Sequence, residues 1–221
     1  MKISHSLFIF LLCPLIFSCA PSRFVKPLEK GQKAVSLNLG GGLFDFGGVT
    51  MPMPLSSITY GYGLKEKTTL YGSLHTTSLL FGVGQIDLGA VHQLKAQDNW
   101  VPAITVSPMA NMAIDRWEGR FKFWPQVDVN MYWHYLQKKN FIYTGLMNWF
   151  DITNQNPHRS KSFAYIWAPM VGHTFVRSKM NYNLELKYIA LNRRNDQSVV
   201  AYKGINGHGV IAIYFTVIRK F

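Results

Sequence analysis

Gly209-Val210-Ile211-Ala212-Ile213-Tyr214-Phe215-Thr216-Val217-Ile218-Arg219-Lys220-Phe221 places Ile211, Ile213, Phe215 and Val217 on one side and Ala212, Tyr214 and Thr216 on the other. A period of two is that of a β-strand, whose successive side chains point to opposite faces. Upstream the same unit recurs as a period-two segment, a turn and another such segment. After Lys33 no window carries a long 3.6-residue apolar period, and no run of about eighteen apolar residues occurs. Strands are expected over 34–40, 55–64, 68–77, 83–94, 101–111, 122–136, 140–150, 163–176, 181–191 and 209–220. That is about ten, an even number.

A strand that closes the sequence on Phe221 with its apolar face intact resembles the last strand, or β-signal, of Gram-negative outer-membrane β-barrels. The resemblance implies an all-β fold, an antiparallel up-and-down transmembrane β-barrel of about ten strands. It also implies that 209–220 pairs with the first strand, because a sheet in lipid cannot leave an unpaired edge. The edge strand of a soluble sandwich has the same local pattern and stays open as an alternative.

The links give a second test of the barrel reading. Lys65-Glu66-Lys67, Ala96-Gln97-Asp98-Asn99, Gln137-Lys138-Lys139 and Arg177-Ser178-Lys179 are short and polar, and they alternate with longer links at 43–54, 78–82, 113–120, 151–162 and 192–208. Outer-membrane barrels alternate short periplasmic turns with longer outer loops, which puts both ends of 33–221 on the short-turn side. Face patterns agree: Tyr182, Leu184, Leu186 and Tyr188 oppose Asn181, Asn183, Glu185 and Lys187, and Phe123, Val127, Val129, Met131, Trp133 and Tyr135 oppose Lys122, Gln126, Asp128, Asn130 and His134. Apolar residues turned to lipid and polar ones to the lumen, with Trp and Tyr near strand ends, fit a membrane wall with aromatic girdles. A lipocalin-like barrel with the faces inverted has the same alternation. In 163–176, Phe163, Tyr165 and Trp167 are assigned to lipid and Ala164, Ile166 and Ala168 to the lumen. Pro102, Pro108, Pro125 and Pro169 fall inside expected strands, where each removes a ladder donor, so they should mark rims, bulges or bends.

At the other end, Lys2 precedes Leu7-Phe8-Ile9-Phe10-Leu11-Leu12 and Leu15-Ile16-Phe17-Ser18-Cys19. A basic start and a short apolar stretch read as a signal peptide over 1–18, too short to span as a helix. Ile16-Phe17-Ser18-Cys19 resembles a lipobox, which implies acylation, palmitate included, of Cys19; Phe17 is bulkier than that pattern usually carries. Residues 19–32, with Pro21 and Pro27, are expected to be an acylated, extended periplasmic tether, and 33–221 the barrel. The only cysteines are Cys13 and Cys19, so no disulfide framework, zinc site or thiol nucleophile is expected, and no cofactor or metal.

Lysine and arginine exceed the acids by twelve. No nucleic-acid motif or basic helix accompanies them, so nucleic acid is not expected as a partner. The charges sit in turns and in two outer loops, where Arg159, Lys161, Arg193 and Arg194 are candidates to meet lipopolysaccharide phosphates, with outer-membrane lipid as the other partner. Inside, the facing assignment gathers Asp87, Lys122, Asp128, His134, Glu185 and Lys187 into a polar network, and charges inside a narrow barrel should pair with one another. No catalytic residue is assigned. No spacing among Asp45, His75, Asp115, Asp151, His158, His92 and His173 reproduces the patterns of omptin proteases or lipid A deacylases, and Gly40-Gly41-Gly42 reads as a turn or bulge rather than a phosphate loop. The resulting expectation is a non-enzymatic outer-membrane lipoprotein, anchored by its N-terminus on the periplasmic side, serving a protein partner as an accessory subunit of a larger assembly. A small-solute pore and an enzyme acting on lipid A or surface peptides are the alternatives.

Overall fold

The structure, a computed structural model, describes residues 23–135, 139–152, 164–195 and 200–221. Its strands are β1 (Lys33–Phe46), β2 (Val49–Pro52), β3 (Leu55–Lys65), β4 (Thr68–His75), β5 (Val83–Lys95), β6 (Ala103–Asp115), β7 (Phe121–Tyr135), β8 (Asn140–Asp151), β9 (Ala164–Val176), β10 (Met180–Arg194) and β11 (His208–Lys220). One short helix, α1 (Thr76–Leu80), fills the link between β4 and β5. Every strand pairs antiparallel with its neighbour, and β11 returns to β1, with Ala34 opposite Lys220 and Gly42 opposite Ala212. The pairing expected of the closing strand is therefore made, and the sheet has no edge in the wall. Among the described residues β2 pairs with β1 alone, so ten of the eleven strands form a closed barrel.

Periodicity decides what faces where. In β10 the side chains of Tyr182, Leu184 and Leu186 are exposed while Glu185 and Lys187 are buried, and in β11 Ile213 and Phe215 are exposed while Ala212, Tyr214 and Thr216 are buried. β9 follows the assignment made for it, with Tyr165 outward and Ile166 and Ala168 inward. A wall that is apolar outside and charged inside is built for a bilayer, and the inverted, lipocalin-like arrangement is excluded. Among the described residues no helix is long and apolar enough to cross a membrane; the crossing is made by strands of eight to fifteen residues. The strand ends that the four short links join all lie at the end of the barrel that holds Lys33 and Lys220.

Each proline stands where a ladder stops. Pro102 precedes β6. At Pro108 the β5–β6 pairing lapses between Met109, opposite Gly89, and Val106, opposite His92. The β7–β8 ladder begins at Gln126, one residue after Pro125, and the β9–β10 ladder ends at Met170, one residue after Pro169. A missing N–H explains all three interruptions.

Two features differ from expectation at the outer end. The three glycines do not turn the chain; they continue β1, paired with Tyr214, Ile213 and Ala212, and Gly40 takes a φ of 140° that favours glycine. Beyond Gly42, β1 leaves the wall and pairs with β2 through Leu43–Phe46, forming a ribbon within the long link expected over 43–54. Tyr202 bridges to Phe44, and the Lys203 N–H donates to the Leu43 carbonyl at 2.8 Å, so the last outer loop braces this ribbon.

Candidate functional site

Inside the wall the lumen is filled in three layers. Toward the outer loops it is apolar: Trp124, Met147, Trp149, Ile166, Ala168, Met170, Ile189, Ala212 and Tyr214 form one buried cluster. Toward the short turns, Tyr71, Val91, Met109 and Ile218 form a second cluster and Ala103, Tyr132, Phe141 and Tyr143 a third. Both of these inner clusters are completed by residues from outside the barrel sequence, Phe24 and Leu28 in one and Val25 in the other.

The segment 23–28 therefore enters the lumen from the short-turn end. Residues 19–32 were expected to hang as a tether; their described part, from Arg23 on, is a plug. Its backbone is anchored where the wall offers partners: the Leu28 N–H donates to Thr69 Oγ1 at 2.7 Å, and Thr105 Oγ1 donates to the Val25 carbonyl at 3.0 Å. Room comes from Gly61 and Gly63 on β3. A Cβ at Gly61 would stand 2.4 Å from the Phe24 ring, and one at Gly63 would stand 1.9 Å from the Glu29 carbonyl oxygen. Below the plug the chain turns, with the Gly31 N–H donating to the Gly63 carbonyl, and enters β1.

Between the apolar layers lies the polar one, and every acid in it has a cation or a histidine. Arg23 of the plug reaches Asp128 on β7, whose other oxygen accepts from Gln126 Nε2 at 2.9 Å. Lys187 Nζ lies 2.8 Å from Glu185 Oε1 and 4.8 Å from the centre of the Tyr214 ring, while Tyr143 OH donates to Glu185 Oε2 at 2.7 Å. His75 Nε2 lies 2.5 Å from Asp87 Oδ2. Buried ions are tolerated when paired, and each acid here has its partner, with Arg23 Nε and Asp87 Oδ1 left without a hydrogen bond among the described residues.

Of the six residues expected in the network, Asp87, Asp128, Glu185 and Lys187 are in it. Lys122 is not: it stands at the outer rim, 3.0 Å from Asp151 Oδ2 and against Trp124. His134 is not either; it packs edge-on against Tyr132 and Phe141 at the inner mouth. The two missed members are Arg23 and His75, and a charge count could have found them. Three acids face the lumen in the sequence pattern, and once Lys122 is placed at a rim only Lys187 remains to balance them. Of the lipopolysaccharide candidates, Arg193 and Arg194 lie exposed at the outer end of β10, and Arg159 and Lys161 lie outside the described residues, as does Cys19.

Ser57 faces the lumen directly across the β3–β4 ladder from His75, and both are buried. An acid, a histidine and a serine thus share one patch of wall.

No protein-family model matches the chain, and no curated protein matches its sequence. Among solved structures it is similar to the translocator domain of the autotransporter NalP from Neisseria meningitidis, at 11% identity over 89% of this chain and 91% of that one, with a TM-score of 0.44. It is also similar to OprG of Pseudomonas aeruginosa, at 10% identity over 90% and 99% with a TM-score of 0.31, and to Ail, the attachment invasion locus protein of Yersinia pestis, at 8% identity over 87% and 99% with a TM-score of 0.29.

Proposed function

We propose that this protein is an outer-membrane β-barrel whose lumen is closed by its own N-terminal segment and whose work is done at its surface, as an accessory or structural subunit of a larger outer-membrane assembly. The observation that carries this reading is the plug: among the described residues Phe24, Val25 and Leu28 join the inner clusters and Arg23 reaches Asp128, so the segment occupies the lumen. What a closed barrel still offers is its ends. At the outer end the β1–β2 ribbon carries exposed Phe46, Val49 and Met51, and among the described residues β2 has one edge unpaired. An exposed apolar edge strand is a template for strand addition by another chain. Arg193 and Arg194, at the same end, are placed to meet lipopolysaccharide phosphates. Affinity purification from native membranes tests the reading: a partner recovered with wild type and lost with Phe46→Asp/Val49→Asp supports it, and a partner-free monomer under mild detergent contradicts it.

A second reading, a hydrolytic enzyme, is favoured by Asp87, His75 and Ser57, residue types that act together in nucleophilic catalysis. Labelling of the intact barrel by a fluorophosphonate, abolished by Ser57→Ala, would support it over the accessory role. Absence of labelling leaves His75 and Asp87 as one of the three structural pairs.

A further inference from the structure

At the short-turn mouth, beneath the plug, a cavity of about 130 Å³ opens between the plug and the wall. Phe24, Phe141 and Ile218 form its apolar side. Besides Arg23, which is paired with Asp128, its cationic side chains come from three separate places in the chain: Lys26 from the plug, Lys139 from the β7–β8 link and Lys220 from the end of β11. Glu29 is the one carboxylate among the cavity's lining residues, so cations outnumber anions there. Like charges that line one small cavity disfavour one another, and an anion among them relieves that repulsion. Lys26 shows that strain: burial and the nearby Lys220 hold its ammonium below the usual lysine range.

We infer that this cavity is a binding site for a phosphate group, held jointly by Lys26, Lys139 and Lys220, which clamps the plug to the barrel. Volume limits the ligand. A cavity of about 130 Å³ has room for a phosphate group. Lysine ammonium groups bind phosphate oxygens as point charges, which suits a site assembled from three flexible side chains. The phosphate can be free in the periplasm or belong to the headgroup of an inner-leaflet phospholipid beside the rim; the chemistry at the lysines is the same. The inference concerns the mouth and does not depend on the accessory reading of the outer end.

The test uses the full chain in nanodiscs in two arms. In phosphatidylcholine discs, inorganic phosphate is titrated by calorimetry; in discs containing phosphatidylglycerol, without free phosphate, retained lipid is counted by native mass spectrometry. Lys26→Gln and Lys220→Gln are compared with Lys30→Gln, which is exposed and outside the cavity. The expected result is binding in at least one arm, weakened roughly tenfold by Lys26→Gln and by Lys220→Gln and unchanged by Lys30→Gln. The arm that shows it names the source. No binding in either arm, or an equal loss with Lys30→Gln, overturns the site and leaves only diffuse attraction to a basic rim.

Discussion

Arg23 and Asp128, 105 residues apart in the chain, form a buried ion pair in the polar layer of the lumen, and Arg23 Nη2 also contacts Met170 Sδ at 3.3 Å. This pair joins a segment that precedes the barrel to the far side of its wall. It is the contact on which closure turns.

Removing one partner leaves a buried, uncompensated charge. Arg23→Met should lower the stability of the folded barrel by about 3–5 kcal/mol, read as the midpoint of urea unfolding followed by heat-modifiable gel mobility. Arg23→Met with Asp128→Leu should recover most of that loss, since an apolar pair of similar volume replaces the ions. A double variant as unstable as the single one would show that the pair is not the cause.

Gly61→Ile should expel the plug while sparing the wall. The added Cβ meets the Phe24 ring at 2.4 Å, whereas the β1–β3 and β3–β4 ladders do not require glycine there. The expected outcome is a folded barrel that conducts. A silent, folded Gly61→Ile would mean that the segment re-seats around the side chain.

Acylation of Cys19 and seating of Arg23 limit one another. Three residues lie between them, and the four Cα-to-Cα steps reach about 14 Å when extended. From the middle of a hydrocarbon core of about 30 Å, the path to the mouth and round the rim to lipid exceeds that reach. A form acylated at Cys19 in the inner leaflet is therefore expected to have Arg23 withdrawn from Asp128. Mass spectrometry of the native protein, with conductance of the acylated and Cys19→Ala forms, checks this; an acylated form that stays closed would contradict it.

Seating should also depend on pH through Lys26, whose pKa lies below its ordinary 10.5 when the plug is in place. The seated state then binds fewer protons than the withdrawn state, so raising pH through the window beneath 10.5 favours seating, and lowering it favours withdrawal. In an Arg23→Ala background, open probability should fall as pH rises through that window. Adding Lys26→Gln should flatten the response, although Lys139, Lys220, Glu29 and His134 line the same cavity.

Much of the wall was legible because a period of two is enforced by its surroundings. Lipid on one side and a filled lumen on the other leave no freedom in the facing of Tyr182 to Tyr188, and a strand in lipid must close, so β11 had to find β1. The prolines were legible as well, since a missing N–H has one consequence. The plug was not, because 23–28 has no periodicity and its contacts are long-range, and Pro21 and Pro27 read equally well as a linker. What did point to it was indirect: Gly61 and Gly63 on one lumen face, and a lumen with more acids than cations. Lys122 and His134 were misplaced for a different reason. Alternation gives the face of a residue but not its height, and both belong to the rims.

The most direct measurement of the closed lumen is single-channel conductance of the full-length protein in planar bilayers beside Arg23→Ala. Silence from a folded wild type with stable steps from Arg23→Ala is the expected result. Stable steps from the wild type would contradict closure and make the barrel a pore.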